Sequence, residues 1–133
     1  MTLLNKFRLD GSVALITGAS KGIGAGISKV FAEAGADLAI AARSKRDLDL
    51  VADEIESFGR RALCVPTDVL EKTQLERLIS RVEESYGKLD ILVNNAGGFP
   101  PKAFLDTEVE EFDYAMRFNV SSAFSLSRLA IPL

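Results

Sequence analysis

A short apolar run that ends in a glycine-rich turn and opens directly into a helix leaves a chain few folds to adopt. Here Ser12-Val13-Ala14-Leu15-Ile16-Thr17 reads as a strand buried on both faces, and Thr17-Gly18-Ala19-Ser20-Lys21-Gly22-Ile23-Gly24 follows at once. Ile23, Ile27, Val30, Phe31 and Ala34 then recur at helical spacing, with Gly35 as the C-cap. Such a turn sets free backbone N–H groups at a helix N-terminus, the arrangement a phosphate group needs. Glycines at 18, 22 and 24 supply the turn, the close approach and the helix–strand packing.

The same unit repeats along the chain. Leu38 to Ala42 is a second strand, and Leu48, Val51, Ala52, Ile55 and Phe58 mark a second amphipathic helix closed by Gly59. Ala62 to Val65 is a third strand ended by Pro66. Leu75, Leu78, Ile79, Val82 and Tyr86 mark a third helix closed by Gly87, and Leu89 to Val93 is a fourth strand. Right-handed crossovers turn this alternation into an open parallel sheet with helices on both faces. Ligands of such sheets bind at the carboxyl ends of the strands, where strand order reverses. Strands one and four flank that point, so the loops at 18–24 and 94–98 meet in one crevice. The last segment differs: Gly97-Gly98-Phe99-Pro100-Pro101 is a loop, and Thr107 or Asp106 caps a helix beginning near Glu108. Phe112, Ala115, Met116, Asn119, Ala123, Leu126, Ser127 and Ala130 line one face of that helix, with Asn119 the polar intruder.

Composition narrows the function classes. With 133 residues, 47% hydrophobic and 26% charged, the chain reads as one soluble globular domain, residues 1–133. A net charge of -3 argues against a nucleic-acid partner. There is no histidine and one cysteine, so a metal site is not expected. Cys64, between Leu63 and Val65, reads as a buried thiol rather than a nucleophile. Met1 to Asp10 lacks the apolar core of a signal peptide and no apolar run reaches membrane-spanning length, so a cytoplasmic location without membrane contact is expected.

The Gly-x-x-x-Gly-x-Gly spacing of Gly18, Gly22 and Gly24 resembles that of the short-chain dehydrogenase/reductase family. Asn94-Asn95-Ala96-Gly97, directly after a buried strand, matches a second motif of that family in the right order. The resemblance covers essentially all 133 residues but about the first half of a family member. It implies a Rossmann-type doubly wound parallel sheet of the α/β class, truncated after the fourth strand and the following helix. It also implies hydride transfer between a nicotinamide cofactor and a ketone or secondary alcohol. Asn94-Asn95-Ala96-Gly97-Gly98 with its proline-containing sequel is similar to the hydroxysteroid-dehydrogenase-like branch, and 3-oxoacyl carrier-protein reductases are nearly as similar.

The cofactor contacts expected on this basis are Gly18, Ser20, Lys21, Gly22, Ile23 and Gly24 in the turn and Asn95, Ala96 and Gly97 after strand four. NAD-selective sites commonly place Asp or Glu at the end of strand two. Here Ala42, Arg43 and Ser44 stand there, and Arg43 with Lys21 favours the 2′-phosphate of NADP, unless both are simply solvated cations. Asp68 and Val69 resemble the family's adenine contact, although Thr67 or Asp68 as a helix N-cap is equally good physics. Asn119 in Phe118-Asn119-Val120 matches the catalytic asparagine that holds a water in the family's proton relay; otherwise it is a satisfied core amide. The catalytic Ser, Tyr and Lys have no counterpart: Asp90 and Phe118 stand four residues after Tyr86 and Tyr114.

The alternatives are a non-catalytic dinucleotide-binding module and, disfavoured by Asn94 to Gly97, a methyltransferase. Family members are commonly dimers or tetramers, here through the helix carrying Phe112, Phe118 and Phe124. An apolar strand edge at Ile91 to Val93 further predicts that residues 1–133 alone are poorly soluble or partly unfolded and reduce no carbonyl.

Overall fold

A computed structural model of the chain describes residues 2–133. Four strands, β1 (Val13–Thr17), β2 (Asp37–Ala42), β3 (Ala62–Pro66) and β4 (Ile91–Val93), form one parallel sheet in the order β3-β2-β1-β4. Three helices, α1 (Gly22–Ala34), α2 (Lys45–Ser57) and α3 (Lys72–Tyr86), make the crossovers. Strand order reverses between β1 and β4, as the sequence implies, so the sheet is Rossmann-type.

All five residues of β1 are buried, which the continuous apolar run requires of a central strand. Alternate residues serve opposite layers. Ala14 and Ile16 join Leu38 and Ile40 under α1 and α2, while Leu15 joins Ala39, Ala41 and Val65 under α3 and the last helix. Gly35 and Gly87 end α1 and α3.

The face of α1 is one residue away from the expected one. Gly24, Ala25, Ser28 and Ala32 are buried, whereas Ile23 is 76% and Val30 61% exposed. The helix approaches the sheet on its small residues, and of the large apolar ones only Ile27 and Phe31 pack, half-buried, against the core. Phe58 is likewise largely exposed, beyond the buried stripe Leu48, Val51, Ala52 and Ile55 of α2. Cys64 is half-buried, and desolvation pushes its thiol up to about 11, which keeps it protonated and unreactive at neutral pH.

Tyr86 closes α3 with its hydroxyl donating to the Leu38 carbonyl at 2.8 Å and its ring under the Arg61 guanidinium. Burial pushes its hydroxyl up to about 12 from an ordinary value of 10.0. The folded state therefore keeps Tyr86 protonated where the unfolded chain ionises it, and that contribution to stability is present below 10 and lost as pH rises toward 12. Tyr86→Phe is expected to lower stability by about 1 kcal/mol at neutral pH. The variant should also show a shallower alkaline decline when unfolding midpoints are compared across that interval.

The C-terminal segment departs most from expectation. Its first helix, α4 (Val109–Met116), is capped by Glu108 rather than by Thr107 or Asp106. Glu111 accepts from the Glu108 N–H at 2.9 Å, while the Thr107 hydroxyl is spent on the Ala103 carbonyl. Lys102 ties the preceding loop to the same Glu111 and, with the Glu108 N–H, holds its carboxyl below the usual range. A π-helical turn, Arg117–Ser121, separates α4 from α5 (Ser122–Ala130). The expected single stripe is thereby broken: Leu126 and Ala130 are buried, but Phe112, Met116 and Asn119 are exposed. No helix among the described residues is long and apolar enough to cross a membrane.

Candidate functional site

Four segments leave the carboxyl ends of neighbouring strands and enclose a cleft of about 710 Å³. From the turn after β1 come Gly18, Ser20 and Lys21. The end of β2 brings Arg43 and Ser44, and the segment after β3 brings Asp68 and Val69. Asn95, Ala96 and Gly97 close it from the β4 side. Ten of the fourteen residues singled out from the sequence thus line one cleft.

The other four stand behind it or at its rim. Gly22 has φ 58, a left-handed conformation that a side chain would strain, and its Cβ position opens on empty space. Gly24 is a matter of contact: a Cβ there would lie 2.2 Å from the Gly18 carbonyl oxygen and 2.6 Å from Asn95 Nδ2. That glycine lets α1 press against the turn. Ile23 is exposed at the head of α1.

Asn119, expected on a buried apolar stripe, is instead exposed in the π-helical turn, where its amide brackets the backbone of one residue, Gly98. Its Oδ1 accepts from the Gly98 N–H at 2.7 Å, and its Nδ2 donates to the Gly98 and Ala115 carbonyls at 3.1 and 2.9 Å. The amide therefore fixes the loop that follows Gly97. Turns of this kind recur where a helix must aim one side chain.

Thr17 is the joint that sequence reading passed over. Its Oγ1 accepts from the N–H groups of Asn95 and Ala96 at 3.1 and 3.0 Å, and Asn95 Nδ2 donates to the Gly18 carbonyl at 3.2 Å. The loop leaving β4 is stitched to the turn leaving β1 by three bonds. The only hint was a buried threonine at the end of an otherwise apolar strand, a polar group that needs a partner. Asn94, by contrast, turns away and donates to Ser127 Oγ on α5.

Asp68 does not cap α3, whose N-cap is Glu71. Its carboxylate accepts from the Leu70 N–H at 3.0 Å, and its own N–H donates to Gln74 Oε1 at 2.7 Å. These bonds hold a carboxylate on the cleft wall. Asp47, Tyr114 and Phe118 also line the cleft and were not expected to. The rings of Tyr114 and Phe118 lie 5.9 Å apart, one helical turn from each other. No group of three or more His, Cys, Asp or Glu among the described residues could hold a metal ion.

The profile of the short chain dehydrogenase family matches residues 12–133. An uncharacterised oxidoreductase of Mycobacterium tuberculosis is 44% identical over 131 residues, 98% of this chain and 50% of its own length. A structure of 7α-hydroxysteroid dehydrogenase complexed with NADH and 7-oxo glycochenodeoxycholic acid superposes with a TM-score of 0.93 at 40% identity, covering 99% of this chain and 51% of that one. L-sorbose reductase of Gluconobacter frateurii, complexed with NADPH and L-sorbose, gives 0.90 at 34% identity over 95% of this chain and 48% of that one. The chain spans about half the length of the relatives it matches. With a matching profile over nearly its whole length and a shared fold, this chain belongs to the short-chain dehydrogenase family of oxidoreductases.

Proposed function

We propose that the cleft binds NADP(H) in preference to NAD(H), and that these residues form the cofactor-binding part of an oxidoreductase acting on a ketone or secondary alcohol. One observation carries the reading: the turn after β1 and the loop after β4, joined through Thr17, open on the same cleft as Arg43 and Lys21. The residues present fit such a cofactor. Gly18 and Gly22 put no side chain over the backbone at either end of the turn, so its N–H groups can meet a pyrophosphate. Arg43 offers a planar fork to a 2′-phosphate, Ser44 a hydroxyl beside it, and Lys21 a second positive charge. Asp68 and Val69 line the part of the wall suited to an adenine, the carboxylate to its amino group and the valine to its face.

The nicotinamide supplies or accepts the hydride. Asn95, Ala96 and Gly97 would bound its end of the cleft, with Asn119 as a positioning residue whose Oδ1 keeps a second lone pair for a relay water. Similarity to a hydroxysteroid dehydrogenase favours a steroid-like carbonyl over a 3-oxoacyl thioester as substrate. A homo-oligomer is part of this proposal: Val109, Phe112 and Phe124 leave an apolar surface on α4 and α5, while Phe118, expected there, faces the cleft.

Arg43→Ala is expected to weaken NADPH binding roughly 30-fold and NADH binding less than about threefold, from loss of a charge-assisted fork to phosphate. Isothermal titration of both nucleotides reads it, and equal losses would refute the 2′-phosphate role. A second reading is a dinucleotide-binding module without catalysis. It predicts nucleotide binding with no carbonyl turnover. Titration with S-adenosylmethionine, expected to give no heat, separates both from a methyltransferase.

A further inference from the structure

The cationic end of the cleft is not simply cationic. Lys21 and Arg43 line it together with two carboxylates, Asp47 and Asp68. Asp68 is engaged by the Leu70 N–H. Asp47 is not: among the described residues its carboxylate accepts no hydrogen bond and forms no ion pair, although its backbone N–H donates to Ser44 Oγ at 3.3 Å. Ser44 is the N-cap of α2 and Asp47 stands three residues on, so the two share one side of the first turn, and that side faces the cleft. The intervening cations do not help. Neither Lys45 nor Arg46 lines the cleft, and Lys45 is bound to Asp49 at 2.7 Å.

The first turn of α2 therefore offers the ribose end of the cleft a hydroxyl and a free carboxylate while turning its own cations away. A carboxylate accepts well from a ribose 2′-hydroxyl and repels a 2′-phosphate, which carries close to two negative charges at neutral pH. We infer that Asp47 is a specificity-determining residue that opposes Arg43, so that the ratio of NADP to NAD binding is set by the difference between the two. This rests on the dinucleotide reading of the cleft given above.

The test is the ratio of NADPH to NADH affinity, measured by titration calorimetry on the full protein that carries these residues and on its Asp47→Asn variant at low and at 0.5 M salt. Asparagine keeps the N–H that Ser44 accepts and removes only the charge. The variant is expected to bind NADPH roughly threefold to tenfold tighter at low salt, with NADH unchanged or slightly weaker, and the gain should shrink at high salt. Asp47→Ser, the second variant, should move the ratio the same way. Any general loosening of α2 would weaken both nucleotides alike and leave the ratio alone. Binding of both nucleotides with a ratio that neither variant moves overturns the role of Asp47 and leaves the cleft a dinucleotide site. Failure of both nucleotides to bind the unmodified chain overturns the dinucleotide reading and this inference with it.

Discussion

Gly24→Ala is expected to lower the unfolding midpoint by about 10 °C, from a destabilisation of roughly 3 kcal/mol, and to abolish nucleotide binding. The added Cβ would sit 2.2 Å from the Gly18 carbonyl oxygen and 2.8 Å from the carbon behind it, both backbone atoms of a turn that is itself stitched to the β4 loop. Nothing flexible is available to move aside, so either α1 lifts from the sheet or the turn deforms. Both outcomes spoil the alignment of N–H groups that a phosphate needs. Gly26, two residues on in the same helix, is the control. A Cβ there meets nothing within 4 Å, and Gly26→Ala should raise stability by about 0.5–1 kcal/mol through helix propensity alone. Thermal unfolding followed by circular dichroism reads both. Equal midpoints for the two variants would mean that the close approach is not rigid.

Thr17→Val is expected to cost about 2–4 kcal/mol, because it leaves two backbone N–H groups without their acceptor while keeping the shape of the side chain. Thr17 is 2% exposed, so water cannot easily replace its oxygen for Asn95 and Ala96. Thr17→Ser restores the hydroxyl and should recover most of the loss. Amide hydrogen exchange localises the effect: the N–H groups of residues 95 and 96 should lose protection far more than those of β2 or β3. Uniform loss over the sheet would instead indicate that the valine disturbs the packing of β1.

The sheet and its three crossovers were legible because each strand is a short apolar run and two of the three helices bury their large apolar residues. Leu75, Leu78, Ile79 and Val82 illustrate the rule, and α1 marks its limit. There the fully buried positions are Gly24, Ala25, Ser28 and Ala32, while Ile27 and Phe31 are only half-buried, and size is a poor signal. The cleft was legible where a loop motif names its own chemistry, as at Gly18, Arg43 or Asn95. It was not legible where a side chain enters from another element. Tyr114 reaches the cleft from α4 and Phe118 from the π-helical turn after it, and Asp47 because helical phase carries it round with Ser44. Asn119 was expected on a buried stripe and stands exposed instead. A π-helical turn shifts the phase of the following residues, and a hydrophobic pattern read at regular helical spacing cannot anticipate that.

The stitch between Thr17 and Asn95 also orders events in time. The glycine-rich turn is complete by Gly24, yet the groups that hold it lie 78 and 79 residues beyond Thr17. At ordinary rates of synthesis, about 5–20 residues per second, the turn waits roughly 4–16 seconds for its other half to be made. Until then β1 has no neighbour on its β4 side, and the bare glycines have nothing to fix them. The nascent protein should therefore acquire its ligand-binding competence in a single late step, when β4 docks, rather than gradually as each crossover forms.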